Sequence, residues 1–195
     1  MRYFISFLLI VGLVILAFIL VFTSIFKGGT INNSQSLVSY ADTDTQVEMI
    51  IDGPINADQS HNELQMTVGA SLSQINLQQG YQGTVIKSDN YANNTSSYAE
   101  FLQALYLVGF SRGNTSPKAN NDPRGYCADG DRYSYIIVNS NGTDIEKFWS
   151  TSCGGEGTFN GVPASVLNLF IAQMPDYTTI VANSDLTPIV ANSGL

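Results

Sequence analysis

Apolar residues run unbroken by charge from Tyr3 to Phe26 and then disperse into shorter alternating and helical patterns. The run reads YFISFLLIVGLVILAFILVFTSIF, 24 residues. As a helix it spans roughly 36 Å, enough to cross a hydrocarbon core of about 30 Å with some tilt. A helix is required because lipid offers no partner to backbone N–H and C=O groups. The run exceeds the apolar core of a cleavable signal peptide. It has no convincing small-x-small site, no following cysteine for lipidation and no pilin-type processing motif. It therefore predicts an uncleaved signal anchor over residues 1–26, inserted in the lipid bilayer through residues 3–26. Arg2 and the terminal amine precede it, Lys27 follows it, and the next base is Lys87. The bias favours a cytoplasmic N-terminus and an extracytoplasmic C-terminal domain.

Polar residues with Gly28-Gly29, Asn32-Asn33-Ser34 and Asp42-Thr43-Asp44-Thr45 predict a flexible stalk over 27–46. A domain follows over 47–177. Val47, Met49 and Ile51 mark a strand ended by Asp52-Gly53-Pro54. Leu64, Met66, Val68, Ala70 and Leu72 occupy alternate positions, the pattern of a half-buried strand. Ile75 and Leu77 continue in shifted phase, which predicts a bulge near Ser73-Gln74. Gly80 to Ile86 offers a further strand. Ser97 and Glu100 have capping-box spacing. Phe101, Ala104, Leu105 and Val108 then share one helical face, and Gly109 is placed to end the helix in a left-handed turn.

Ser111 to Tyr126 is polar and broken by prolines, an exposed loop. Tyr133–Val138 and Ile145–Thr151 flank Asn141-Gly142, which predicts a hairpin with a two-residue type I′ turn. A last helix is expected from Pro163 to Met174, and a tail over 178–195 nearly repeats itself. The fold class is therefore α+β: a single transmembrane helix, then a small extracytoplasmic domain of antiparallel sheet packed with two helices.

Charge narrows the partners. Eight Lys and Arg stand against sixteen Asp and Glu, a net charge of −8, with no basic run. Nucleic acid is excluded as a partner, because phosphate binding needs clustered cations.

Cys127 and Cys153 are the only cysteines. They bracket the hairpin, and a bond between them suits an oxidising compartment. The simple register sets Cys153 opposite Gly130, three residues from Cys127, so the bond requires an irregular Ala128–Arg132 segment. The competing reading is a nucleophilic Cys153 paired with His61, the only histidine. Thr151-Ser152-Cys153 faintly resembles the cysteine region of sortases, but the arginine those enzymes need after the cysteine is missing. The His-Gly and Cys-Arg pairs of L,D-transpeptidases are missing too. His61, in Gln59-Ser60-His61-Asn62, reads as a solvated loop residue. Asp129-Gly130-Asp131, with Asp122 and Asp144, offers oxygens for calcium but lacks EF-hand spacing, and turn chemistry explains it equally well. Zinc lacks ligands, and Gly154-Gly155-Glu156-Gly157 lacks the features of a phosphate loop. No catalytic residue, metal site or cofactor is expected. Tyr81, Tyr91, Tyr98, Tyr106, Tyr126, Tyr133, Tyr135 and Trp149 serve either packing or an interface.

Two stretches, GYQGTVI…YAEFLQALYLVGF (Gly80–Phe110) and CADGDRYSYIIV…FWSTSCGGEGTFNG…LFIAQMPDY (Cys127–Tyr177), resemble uncharacterised short membrane-anchored proteins of reduced-genome bacteria of the Saccharibacteria (Patescibacteria) type. The resemblance covers over half the chain. It implies a membrane-anchored domain and carries no assigned activity.

The expected function is non-enzymatic: a membrane-anchored domain that binds a protein or cell-envelope partner. A protease-inhibitor-like module presenting Ser111–Arg124 is the first alternative, and a cysteine-dependent hydrolase or transpeptidase the second.

Overall fold

The structure, a computed structural model, describes residues 37–186. The anchor expected over residues 3–26 lies outside them, as do the first half of the stalk and the end of the tail. Among the described residues no helix is long and apolar enough to cross a membrane.

Six strands form one antiparallel sheet: β1 (Gln46–Asp52), β2 (Asn62–Val68), β3 (Leu72–Gln79), β4 (Thr84–Ala92), β5 (Arg132–Val138) and β6 (Asp144–Thr151), in the spatial order β4-β3-β2-β1-β5-β6. Two helices, α1 (Thr95–Val108) and α2 (Pro163–Ala172), and a single turn, α3 (Tyr177–Ile180), complete the α+β domain. The first four strands form a meander. The chain then passes through α1 and a long loop to lay β5 against the other side of β1.

Alternation decides which face is dry. Val47, Met49 and Ile51 of β1, Leu64, Met66 and Val68 of β2, Ile75 and Leu77 of β3, and Tyr133, Tyr135 and Ile137 of β5 are all essentially inaccessible. They join Tyr98, Phe101, Leu102 and Leu105 of α1 and Val166, Leu167 and Phe170 of α2 in one core. Phe101 meets Phe170 edge-on, with centroids 5.3 Å apart. Each aliphatic side chain so buried contributes roughly 1.5–3 kcal/mol. The opposite face of β1–β3 is polar, carrying Glu48, Asp52, Glu63, Gln65, Thr67, Gln74, Asn76 and Gln78, all partly exposed.

Several elements differ from the sequence reading. The phase shift after Val68 is a hairpin, not a bulge. The Gly69 N–H donates to Leu72 O, and Ala70-Ser71 reverse the chain, so Ile75 and Leu77 return to the dry face. Gly80–Gly83 is a turn, and β4 runs on to Ala92. Its polar half escapes notice because seven of its nine residues are exposed on the sheet edge. The cap of α1 is Asn94, whose side chain accepts from the Ser97 N–H at 3.0 Å; this single bond satisfies a free donor of the first turn. Gly109 does end α1, at φ 83°.

The β5–β6 hairpin also turns differently. Asn139 N–H donates to Thr143 O and Gly142 N–H to Asn139 O, with Gly142 alone at positive φ. A type I′ turn needs positive φ at both central residues, and Asn141 does not have it. The loop therefore holds three residues, Ser140-Asn141-Gly142. An irregularity after Ile137 restores the simple register, so Arg132 still pairs with Thr151.

The fold also reaches into the stretch expected to be stalk and into the tail. Leu37–Tyr40 form a 3-10 turn, and Leu37 and Ala41 are buried. At the other end Leu186 is 8% exposed. The Lys87 ammonium donates to Thr179 O, Ile180 O and Ala182 O at 2.9–3.1 Å, fixing the carbonyl end of α3.

Three core phenols are hydrogen-bonded. Tyr98 donates to Thr45 O at 2.9 Å, Tyr133 to Asp131 Oδ2 at 3.3 Å, and Tyr135 shares a bond with Ser150 Oγ at 2.9 Å. Burial pushes all three above the ordinary phenol value of 10.0. A raised folded value contributes stability in full below the unfolded value and loses it as pH rises. Thermal stability should therefore fall steeply once pH passes about 10. Ionised-tyrosine absorbance should show these phenols titrating only as the domain unfolds. A flat melting temperature from pH 9 to 11 would refute this.

Candidate functional site

The site grows from one register position on the polar face. Glu63, Asp52 and Arg132 stand side by side on β2, β1 and β5, because Asp52 pairs with both neighbours. Arg132 is 2% exposed. A guanidinium cannot lose its charge and carries five donors, so burial is tolerable only where acceptors converge. They do. Nε donates to Asp52 Oδ2 at 2.8 Å, and one terminal nitrogen donates to Gly53 O. The other reaches Tyr126 O and Cys127 O, both at 3.5 Å.

The second oxygen of Asp52 faces His61 Nε2 at 3.1 Å, while His61 Nδ1 lies 3.1 Å from Pro54 O. His61 opens the first turn into β2 and is 3% exposed, not the solvated loop residue its sequence neighbours suggest. Both ring nitrogens are engaged inside the protein. The ring face is engaged as well: Tyr81 stacks on it with centroids 4.1 Å apart and planes 14° apart. Tyr81 comes from the β3–β4 turn. Its N–H donates to Asp58 Oδ1 at 2.8 Å and its hydroxyl to Asn56 O at 2.9 Å, so ring and loop hold each other.

These groups floor a cleft of about 550 Å³ at the end of the polar face. Tyr81 and Ile55 remain 55% and 48% exposed. Arg124 and Gly125 contribute from the long loop. Arg124 grips Asp122 through Nε and a terminal nitrogen at 2.6–2.9 Å, holding that carboxyl down at about 2. The Glu63 carboxyl also borders the cleft. Burial, and then the neighbouring Asp52, push it above its usual range.

The loop wall is stapled from below. Cys127 and Cys153 form a disulfide with Cα atoms 5.7 Å apart. The hairpin register does set Cys153 beyond Thr151, across from Gly130. The irregularity that bridges the gap is a turn, in which the Gly130 N–H donates to Cys127 O and Cys127 adopts φ 49°. Gly130 must be glycine, because an added Cβ would collide with Ser152 Oγ and crowd Cys127 Sγ. Ala128 O accepts from Ile55 N–H at 2.8 Å, joining the turn to the opposite wall. Farther along the loop, Asn120 O accepts from Trp149 Nε1 at 2.6 Å, and Tyr126 packs on the same indole.

Other candidates scatter. The disulfide takes the Cys153 thiol, and His61 is committed to Asp52 and Pro54. Asp131 is fully buried near the Tyr133 hydroxyl, Asp122 pairs with Arg124, and Asp144 begins β6 at the other end of the hairpin. Asp122, Asp131 and Asp144, considered for calcium, therefore do not converge. Among the described residues no three His, Cys, Asp or Glu cluster as metal ligands. Tyr98, Tyr133, Tyr135 and Trp149 are buried packing residues, whereas Tyr81 is the exposed member that sequence spacing did not single out. No protein-family model matches the chain, and no curated protein matches it in sequence.

Replacing Arg132 with alanine should cost about 3–5 kcal/mol, because Asp52 and three carbonyls lose a buried partner. Arg132→Lys should recover little, since an ammonium cannot follow the planar fork. Denaturant melts of the two variants provide the measurement, and a near-neutral Lys variant would refute the requirement for a planar fork of donors. Replacing both cysteines with serine should lower stability by about 3.5 kcal/mol, the chain-entropy value for a loop of this length. Non-reducing peptide mass spectrometry of the parent and urea melts of both proteins test it.

Proposed function

We propose that the chain is a single-pass membrane protein whose N-terminal segment holds this domain outside the cytoplasm, where it binds a protein or cell-envelope partner through the Asp52–His61–Arg132 cleft. The observation that carries the reading is the cleft itself. Its floor is fixed by a closed network of charged groups, while Tyr81 and Ile55 stay exposed above it. Fixed walls with exposed aromatic and aliphatic anchors lower the ordering cost of association. Both ring nitrogens of the histidine and both sulfurs are occupied within the protein, which favours binding over nucleophilic chemistry. The disulfide supports an oxidising location, and the uncharged run of residues 3–26 supports the anchor.

The inhibitor-like reading has one observation in its favour. The Ser111–Arg124 loop is braced at Asn120 by Trp149 and at Asp122 by Arg124, a footing that a protease-facing loop requires.

Two arms test the proposal on the full chain in its native membrane. Protease added to intact cells or spheroplasts should digest the domain. A photo-crosslinking residue at Gln82 should yield an adduct, and one at Leu107 on the exposed side of α1 should not. A domain protected until lysis, or adducts at Leu107 alone, would overturn it.

A further inference from the structure

Hydrogen bonds on the polar face run in one direction and leave acceptors at their head. Gln65 Nε2 donates to Glu48 Oε1 at 2.7 Å, and Gln78 Nε2 donates to Gln65 Oε1 at 3.2 Å. Each amide passes its donor away from the cleft. Gln78 is therefore left with its carbonyl oxygen at the cleft end. Glu63, directly across from Gln78 in the β2–β3 register, has no side-chain hydrogen bond among the described residues, because Arg132 is directed at Asp52 and backbone carbonyls. Directly paired residues on one sheet face hold their Cβ atoms within roughly 5.5 Å. Gly83 keeps the amide reachable: an added Cβ there would lie 2.5 Å from Gln78 Oε1.

The floor thus presents three oxygens, two from Glu63 and one from Gln78, while both ring nitrogens of His61 and four hydrogen bonds from Arg132 are directed at Asp52 and backbone carbonyls. A complementary ligand must donate. Above the floor stand Tyr81, with an exposed aromatic ring, and Ile55, a half-exposed aliphatic surface. An aromatic face attracts a cation, and an aliphatic wall suits a methylene stem. An ammonium group carries three donors and no acceptor.

Building on the binding role above, we propose that the cleft recognises a lysine side chain of a peptide or protein partner, with the ammonium on Glu63 and Gln78 and the methylene stem between Tyr81 and Ile55. The raised Glu63 carboxyl accords with this, since a cation there supplies the missing partner. A lone ammonium on a lipid headgroup would satisfy the oxygens but bring no four-carbon stem for the Tyr81–Ile55 walls. Arginine, with five donors in a planar fork, exceeds the three acceptors.

The test uses the full chain in lipid nanodiscs and saturation-transfer NMR. The probes are a Gly-Lys-Gly peptide with blocked termini, its side-chain-acetylated analogue and maltotriose. The lysine peptide should bind, and acetylation should weaken it at least about tenfold, the scale of one lost charge-assisted bond. Glu63→Gln should weaken it similarly, and Tyr81→Ala should do so while Tyr81→Phe retains binding. Circular dichroism melts confirm that each variant folds. Equal binding of the acetylated peptide, preference for maltotriose, or full retention in Glu63→Gln would each overturn the proposal. So would equal competition by vesicles bearing ethanolamine headgroups. Should adducts still form at Gln82 when the lysine peptide fails to bind, the ligand class is wrong and the binding site stands. Loss of both removes the binding reading itself.

Discussion

A buried guanidinium ties together pieces of this domain that lie 80 residues apart in sequence. Arg132 begins β5, yet its acceptors come from the end of β1, from Gly53 and from the segment leading into the disulfide. An arginine cannot shed its proton to suit an apolar site, so burial at 2% exposure dictates the course of every strand that surrounds it. Asp52 must end β1 there. The 126–130 turn must bring its carbonyls inward. His61 then has a carboxylate oxygen to face, and Tyr81 has a fixed ring to lie on. The cleft is the outer surface of that arrangement.

The dry half of the fold was legible in the sequence because burial writes a period. Val47, Met49 and Ile51, the Leu64–Val68 alternation and the Phe101–Leu105 stripe each occupy positions that only one periodicity explains. What escaped was structure without such a period. The lower half of β4 faces water on both sides, so Ser88, Asp89 and Asn90 carry no alternation. The reversal has no Gly, Asn or Pro at its two central positions, Ala70 and Ser71, and a pattern reader mistakes it for a kink in one strand. In the β5–β6 hairpin, Asn141-Gly142 marked the right place and the wrong turn, because Gly142 alone needed the left-handed region.

The site was far less legible. Cys127 and Cys153 announced themselves by count and position. His61, Asp52 and Arg132 did not, since 80 residues separate the ion-pair partners and no spacing rule connects them. A lone histidine between Ser60 and Asn62 looks solvated. The β1–β2 pairing brings it to Asp52, and the β1–β5 pairing, which no local signal encodes, adds Arg132 to make a buried charge network. Tyr81 was one tyrosine among ten, distinguished by its turn and not by its neighbours. One available hint was the arginine opening an otherwise apolar β5, a residue type that enters a buried strand only with acceptors waiting.

The central strand of the sheet has its two partners at very different distances along the chain. β2 follows β1 almost at once, whereas β5 begins 80 residues after Asp52 in sequence. Non-local pairing demands loop closure before any contact offsets it, so the search for β5 sets the pace of folding. A chain emerging N-terminus first presents the β1–β4 meander complete but with the β1 edge bare. Until the final hairpin arrives, that edge displays unpaired backbone groups flanked by Val47, Met49 and Ile51, an open template for association with other chains. Production of this domain is therefore governed less by its final stability than by how long β1 waits.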